Sequence, residues 1–265
     1  MEAIRVVVQG ALGRMGGEVI KAIVHEPGMK VVGVAEKEVP QLYFDLPETA
    51  EKVPYSSNLG HLLQSCYADV LVDFTNIEAS MATVRVAASY KVNLVIGTTG
   101  HTKEDLAEIE QLCQTNGIGV VVAPNFSLGA VLLMHLAKTA AKFFDYAEIT
   151  EMHHEKKIDA PSGTALATAR AMLEARGSPF IYPRTEKEVL SGVRGGQMEG
   201  VAIHSVRLPG FMAAQEVMLS GVGQTLSLRH EAISRESYMP GIILAIKEVM
   251  KRKGLIYGLD TLLSL

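Results

Sequence analysis

Five short apolar runs recur along the first half of the chain, each ending in a turn of small or polar residues, and most are followed by a stretch that reads as helix. They are Ile4 to Val8, Val31 to Ala35, the run inside Ala68 to Thr75, Asn93 to Ile96, and Ile118 to Val122. Near-continuous apolar strands that alternate with helices indicate a parallel sheet covered on both faces. Ligands of such sheets bind beyond the carboxyl ends of the strands, at the turns. Gly10 to Gly16, Glu36, Phe74-Thr75, Gly97 to Thr99 and Ala123 to Phe126 should therefore line one crevice.

The first turn is the most informative of these. Gln9-Gly10-Ala11-Leu12-Gly13-Arg14-Met15-Gly16 follows a strand and opens a helix expected to reach about His25. In that setting Gly10 permits a tight turn, Gly13 lets backbone approach a pyrophosphate, and Gly16 allows close packing of helix on strand. The spacing G-x-x-G-x-x-G is a variant of the dinucleotide fingerprint, and a purely structural tight turn would explain it nearly as well. Its support is the second strand, which ends at Glu36, where a ribose-binding acid is expected. Glu36 favours an unphosphorylated 2′-hydroxyl, whereas Lys37 can meet a 2′-phosphate, so NADH and NADPH both stay open. The bland alternative for Glu36-Lys37-Glu38 is a solvated turn. Val39 to Asn58 holds three prolines (Pro40, Pro47, Pro54) and reads as mostly loop with one short helix.

Beyond Ser127 the organisation changes. A helix from Ser127 to about Phe143 is apolar around much of its circumference and belongs to the core. Gly192 to Gly200, rich in glycine, reads as a mobile loop. Ala147 to Met152, Val201 to Leu208, Ala213 to Ser220 and Thr225 to Glu231 read as strands of an open four-stranded sheet. Helices cover one face of that sheet, so the other is expected to meet a second copy. A last helix runs from Pro240 and stops at Gly254. The expected architecture is α/β: a Rossmann-like doubly wound parallel sheet formed by 1–126 and 235–265, plus an α+β domain over 127–234 for substrate binding and oligomerisation.

Most of the chemistry lies in Glu151 to Ala165, which reads Glu-Met-His-His-Glu-Lys-Lys-Ile-Asp-Ala-Pro-Ser-Gly-Thr-Ala. Two imidazoles and two lysines leave a strand end, and then Pro161, Ser162, Gly163 and Thr164 open an alanine-rich helix that ends before Gly177. Ser162 can cap it, and the Gly163 and Thr164 N–H groups would point at a bound carboxylate. Adjacent histidines are by themselves more often a solvated pair than a catalytic unit. No metal is expected, because the histidines lack zinc spacing and Cys66 and Cys113 are far away.

Composition narrows the partners. The chain has 265 residues, a formal net charge of −4 and 20% charged residues; with a mean hydropathy of +0.19, that describes a compact protein with no global field for nucleic acid. Two separated cysteines make no disulfide framework. The start of the chain goes straight into a strand without a signal core, and no apolar run reaches transmembrane length, so a cytoplasmic location is expected.

Laid out in order, these motifs resemble the dihydrodipicolinate reductase family, now called 4-hydroxy-tetrahydrodipicolinate reductases. The resemblance rests on Gly10 to Gly16, Asp73-Phe74-Thr75, Gly97-Thr98-Thr99-Gly100, Pro124-Asn125-Phe126-Ser127, and His153-His154-x-x-Lys157-x-Asp159-Ala160-Pro161-Ser162-Gly163-Thr164-Ala165. It implies reduction of the cyclic dicarboxylate to tetrahydrodipicolinate in lysine and diaminopimelate biosynthesis, with NADPH or NADH as cofactor and a homotetramer built on the second sheet. It places the cofactor on Gly10, Ala11, Leu12, Gly13, Arg14, Met15, Glu36, Lys37, Gly97, Thr98, Thr99, Ala123, Pro124, Asn125 and Phe126. His153 and Lys157 fall on the family's acid/base pair, and His154, Gly163 and Thr164 on its substrate carboxylate site. The chain departs from many bacterial members in lacking a glycine-rich loop after Lys37, in having Ala214-Gln215-Glu216 where they have Gly-Glu-His, and across Arg235 to Gly241.

Two other functions compete with this one. Another NAD(P)-dependent amino- or imino-acid dehydrogenase would share the two-domain plan, but Lys157 beside Ser162-Gly163-Thr164 argues against it. A non-catalytic nucleotide sensor would need a recognition element, and no basic helix is present. For the reductase, closure of the two domains about Ser127 and Ser234 is expected, because hydride transfer needs cofactor and substrate in contact.

Overall fold

A computed structural model describes residues 2–265. In chain order the elements are β1 (Ile4–Gln9), α1 (Arg14–His25), β2 (Met29–Ala35), β3 (Tyr43–Asp45), β4 (Lys52–Ser56), α2 (Leu59–Ser65), β5 (Val70–Asp73), α3 (Ile77–Ser89), β6 (Asn93–Ile96), α4 (Lys103–Asn116) and β7 (Gly119–Val122). Then come α5 (Leu128–Ala140), β8 (Tyr146–His153), α6 (Gly163–Arg176), β9 (Gly196–Met198), β10 (Val201–Arg207), β11 (Ala213–Gly221), β12 (Gln224–Ala232), α7 (Met239–Val249), β13 (Gly254–Tyr257) and α8 (Leu259–Leu263). The chain divides into two compact units, 1–128 with 235–265, and 129–234.

Unit 1 is an eight-stranded sheet in the order β13-β7-β6-β5-β1-β2-β4-β3. Its pairs are parallel except β3 with β4. The sheet is parallel because β5, β6 and β7 are buried along their whole length and must be sandwiched. Their inward side chains Leu71, Leu94, Ile96 and Val120 pack with Val84, Ala87 and Ile109 of the covering helices. The sheet reverses direction beside β1, which pairs with both β2 and β5. That reversal puts the turn after β1 where such folds bind ligands.

Two strands sit inside 39–58, where the sequence reads as loop. β3 is three residues long and β4 carries Pro54, so neither shows a period; Pro54 is tolerated because it faces only the short edge strand, at Tyr43. A strand also follows the last helix: β13 adds four residues to the sheet edge beside β7.

Unit 2 has five strands, ordered β12-β11-β8-β10-β9, one more than the four expected. The extra one lies inside the glycine-rich 192–200 segment that reads as a mobile loop. β9 pairs with the start of β10 across a two-residue turn, Glu199 and Gly200, both at positive φ (44° and 92°). Turns of that hand suit the twist of a hairpin, and a Cβ on Gly200 would lie 1.9 Å from the Phe180 carbonyl oxygen. Helices α5 and α6 both pack on one face, where Leu133, Ala137, Ala165, Ala169 and Met172 meet Ile149, Val217, Leu219, Val201 and Ile203. Alternate residues Glu148 and Glu216 belong to the other face, with ion pairs to Arg194 and Arg229.

Candidate active site

The turns of unit 1 line an open cleft of about 690 Å³, formed by Gly10, Leu12, Gly13, Glu36, Lys37, Phe74 and Thr75, among others. Its floor needs glycine for measurable reasons. Gly10 sits at φ +77° with the Phe74 carbonyl 2.9 Å from where a Cβ would be, and a Cβ on Gly16 would lie 2.1 Å from the Gly10 oxygen. Helix α1 starts at Gly13 with no side-chain cap and no acidic residue in its first turn. Its first N–H groups, those of Arg14 and Met15 included, thus stay open to an anion.

Glu36 closes one side of this turn. Its carboxylate accepts from the Leu12 N–H at 3.1 Å and from the Lys37 N–H at 2.9 Å, so the acid is tied to the glycine turn before any ligand arrives. The neighbouring turns are tied together by Asp73, which is fully buried. Thr75 donates to it at 2.7 Å and Thr98 at 3.2 Å, and the Thr75 N–H donates to Thr98 Oγ1 at 3.1 Å. Burial pushes the Asp73 carboxyl up, against the opposing hydrogen bonds from Ser80, Thr75 and Thr98. A Cβ on Gly97 would fall 2.0 Å from the Phe74 ring, whose centroid is 6.0 Å from that of Phe126. Ala11, Ala123 and Phe126 are buried, while Thr99 and Pro124 are exposed in the turns after β6 and β7. Asn125 accepts from the Ser127 N–H at 2.9 Å and so shapes the last turn. A nicotinamide dinucleotide suits this set: small residues for backbone approach, a free helix start for the pyrophosphate, and an acid for a ribose diol. Gln9, with a buried side-chain oxygen lacking a hydrogen-bond partner, also lines the cleft and escapes motif reading.

The site of unit 2 is built at the end of β8. Glu151 points into the helix-covered face, fully buried, and every direction around its carboxylate is used. Arg207, reached from β10, donates to Oε1 at 2.6 Å and to Oε2 at 2.9 Å. The Ser162 N–H donates to Oε1 at 3.2 Å, and His153 Nδ1 lies 2.5 Å from Oε2. Burial alone would push this carboxyl up, but hydrogen bonds from Arg207, Ser205 and His153 outweigh it and hold Glu151 below the usual carboxylate range. His153 goes the same way: burial lowers its pKa, Glu151 resists, and the positive charges of Lys157 and Arg207 lower it further. With Nδ1 carrying its proton toward Glu151, Nε2 is the nitrogen left for a ligand.

Lys157 follows in a tight turn closed by its N–H to the His154 carbonyl at 3.2 Å. Its ammonium lies 2.7 Å from Asp159 Oδ1, and that pairing holds the Asp159 carboxyl down. Helix α6 then begins as the sequence requires: Ser162 accepts from the Ala165 N–H at 3.2 Å, and Gly177 in the left-handed region ends it. Gly163 is exposed and has nothing within 4 Å of a would-be Cβ, which leaves room above the first-turn amides of Gly163 and Thr164. Of the two acids beside His153 in sequence, Glu151 takes the imidazole and Glu155 is exposed. Sequence reading misses Arg207. The available signal is indirect, since a glutamate in a buried strand position demands a cation.

Known proteins share both halves. The N-terminal model of dihydrodipicolinate reductase matches residues 4–126 and the C-terminal model residues 129–263. This chain belongs to the dihydrodipicolinate reductase family. A 4-hydroxy-tetrahydrodipicolinate reductase from Dehalococcoides mccartyi is 51% identical over 100% of both chains, and one from Moorella thermoacetica is 46% identical over 98% of each. Among solved structures, dipicolinate-bound dihydrodipicolinate reductase from Paenisporosarcina sp. TG-14 superposes with a TM-score of 0.88 at 40% identity, covering 97% of this chain and 98% of that one. An amine dehydrogenase from Mycobacterium smegmatis, 16% identical with a TM-score of 0.66, shares the fold. Reductases of this family take NADH or NADPH as reductant. Among the described residues no helix is long and apolar enough to cross a membrane.

Proposed function

We propose that this chain performs the reaction of its family with the residues described above: NAD(P)H-dependent reduction of 4-hydroxy-tetrahydrodipicolinate to tetrahydrodipicolinate, in lysine and diaminopimelate biosynthesis. The observation that carries the assignment of roles is the corner at the end of β8. There an imidazole oriented by a buried carboxylate and a lysine share the loop that opens helix α6.

When bound, the nicotinamide would supply a hydride to the conjugated ring formed once the 4-hydroxyl has left as water, and the carbon beside the reduced bond must then gain a proton. Lys157 is the donor in this reading, held in place by Asp159 and attractive to a dianionic substrate. His153, whose Nδ1 faces Glu151, relays a proton through Nε2 in this reading, with burial lowering its pKa and favouring the neutral form that can accept one. His154 with the Gly163 and Thr164 amides binds a ring carboxylate at the start of α6, fixing which carbon faces the acid. Gly10 to Met15, Glu36, Lys37, Gly97 to Thr99 and Ala123 to Phe126 hold the dinucleotide. A homotetramer through the helix-free face of the second sheet is part of the reading, supported by the packing of both helices on the opposite face. So is action in the cytoplasm, without nucleic acid or membrane partners.

The deciding experiment generates the aldol-condensation product in situ and follows nicotinamide oxidation. Turnover on that product and not on simple amino or imino acids is expected. Turnover confined to the latter would replace this function with that of an amino-acid dehydrogenase.

A further inference from the structure

Arg207 makes more polar contacts in the acid/base corner than any catalytic candidate does. Its NH1 and NH2 nitrogens clamp both oxygens of Glu151, NH2 also donates to the Asp159 carbonyl at 2.8 Å, and NH1 to the Val206 carbonyl at 2.7 Å. One guanidinium thus ties together the partner of His153, the residue that meets Lys157, and, through Glu151, the N–H of the helix cap Ser162. The parallel pairing of β10 with β8 sets His153 against Arg207 in register, which makes this reach possible from a strand fifty-odd residues away.

We propose that Arg207 and Glu151 are positioning residues for proton transfer: the arginine keeps Glu151 anionic and fixed, and Glu151 holds His153 as the Nδ1–H tautomer with Nε2 toward the substrate. This rests on the roles given to His153 and Lys157 above. The reasoning is chemical. A neutral imidazole with no partner at Nδ1 populates both tautomers, and the wrong one presents a donor where the relay needs an acceptor. An anion at Nδ1 removes that choice, and a planar fork with two parallel N–H groups is the group that holds a carboxylate at a fixed angle. The charged groups facing His153 are Glu151 on its own strand, Lys157 on the following loop and Arg207 on β10. Glu151 is the sole anion among these three, so the tautomer depends on it.

Two variants test this. Arg207→Met alone leaves a buried, unpaired carboxylate and could fail to fold. The double variant Glu151→Met/Arg207→Met removes both charges and replaces them with apolar side chains of similar size, a change that buried ion pairs commonly tolerate. NADH binding reports that unit 1 is folded, and circular dichroism with denaturant unfolding of the whole chain reports that unit 2 is. Nitrogen NMR of the ring reports the His153 tautomer without any substrate, and steady-state kinetics give kcat and KM. The expected result for the double variant is normal NADH affinity, a shift of His153 away from the Nδ1–H form, and a kcat lowered about a hundredfold with KM changed only a few-fold. A retained Nδ1–H form, or a kcat within about threefold of the parent in the folded double variant, overturns the proposal. Should the parent not turn over the proposed substrate, the functional reading fails, and the tautomer measurement still decides the positioning role.

Discussion

The two sites are built from different materials. In the unit 1 crevice the surface is mainly backbone, the Gly10 to Gly16 turn and the uncapped start of α1, with neighbouring turns tied behind it by threonine hydroxyls on a buried aspartate. In the unit 2 corner the contacts are made by polar and charged side chains, an arginine, a glutamate and a histidine linked by short hydrogen bonds, and a lysine paired with Asp159. A backbone site suits a ligand whose recognition is shape and a diffuse phosphate charge, and it is damaged by added volume. A side-chain site suits proton transfer, where pKa and tautomer matter, and it is damaged by lost charge at constant volume.

The sharpest contrast is expected from Lys157→Ala. If the lysine is a proton donor, kcat falls by roughly a hundredfold or more with NADH binding unchanged, since that is the usual worth of a positioned acid. A raised KM with kcat preserved would reduce Lys157 to charge binding and blur the distinction between the sites. Next in size is Gly97→Ala, an addition of one methyl where a Cβ meets the Phe74 ring at 2.0 Å. Overpacking of this kind costs ~1–3 kcal/mol, so denaturant unfolding should show a lower midpoint and NADH titration a weaker complex. An unchanged midpoint would mean that the crevice yields more readily than its geometry suggests.

Glu36→Ala should shift cofactor choice toward NADPH, raising the NADPH to NADH ratio of kcat/KM by roughly tenfold, because a charge-assisted bond to the ribose diol is lost. Lys37→Ala should move the ratio the other way by a smaller factor, and equal weakening of both cofactors would remove the role given to that lysine. The smallest effect is on stability against pH. His153 titrates below its ordinary 6.5 in the folded chain. On acidification the unfolded state therefore takes up the proton first. The stability this neutral imidazole contributes is present above 6.5 and is lost as pH falls from there through the lower folded value. His153→Gln should thus show a shallower fall of Tm between about pH 7.5 and about 5.5. A slope identical to the parent's would show that burial does not perturb this histidine.

The two materials also explain what could be read in advance. A backbone site leaves a direct trace in sequence, because only glycine satisfies φ +77° at Gly10 or the 2.1 Å approach at Gly16, and the trace is local. The parallel sheet was equally legible, since strands buried on both faces must be apolar throughout. So was the start of α6, where Ser162 and Gly163 mark the cap within one turn. β3, β4, β9 and β13 were not legible, being three to five residues long, too short for a period to show, and all but β3 carry a proline or glycine.

By itself the chain determined its α/β class and its dinucleotide turn, because apolar strands and closely spaced glycines leave a direct trace, and it placed the histidines and lysines proposed for the proton chemistry within one short segment. Only the tertiary structure decided which acid orients His153 and what neutralises that acid. Glu151 and Glu155 are each two positions from His153, and the choice turns on burial, which comes from α6 packing over β8. Arg207 reaches Glu151 across 56 positions of sequence. That pairing exists because β10 runs parallel to β8 in one particular register, and register is set by the buried faces of the whole sheet and by no local signal.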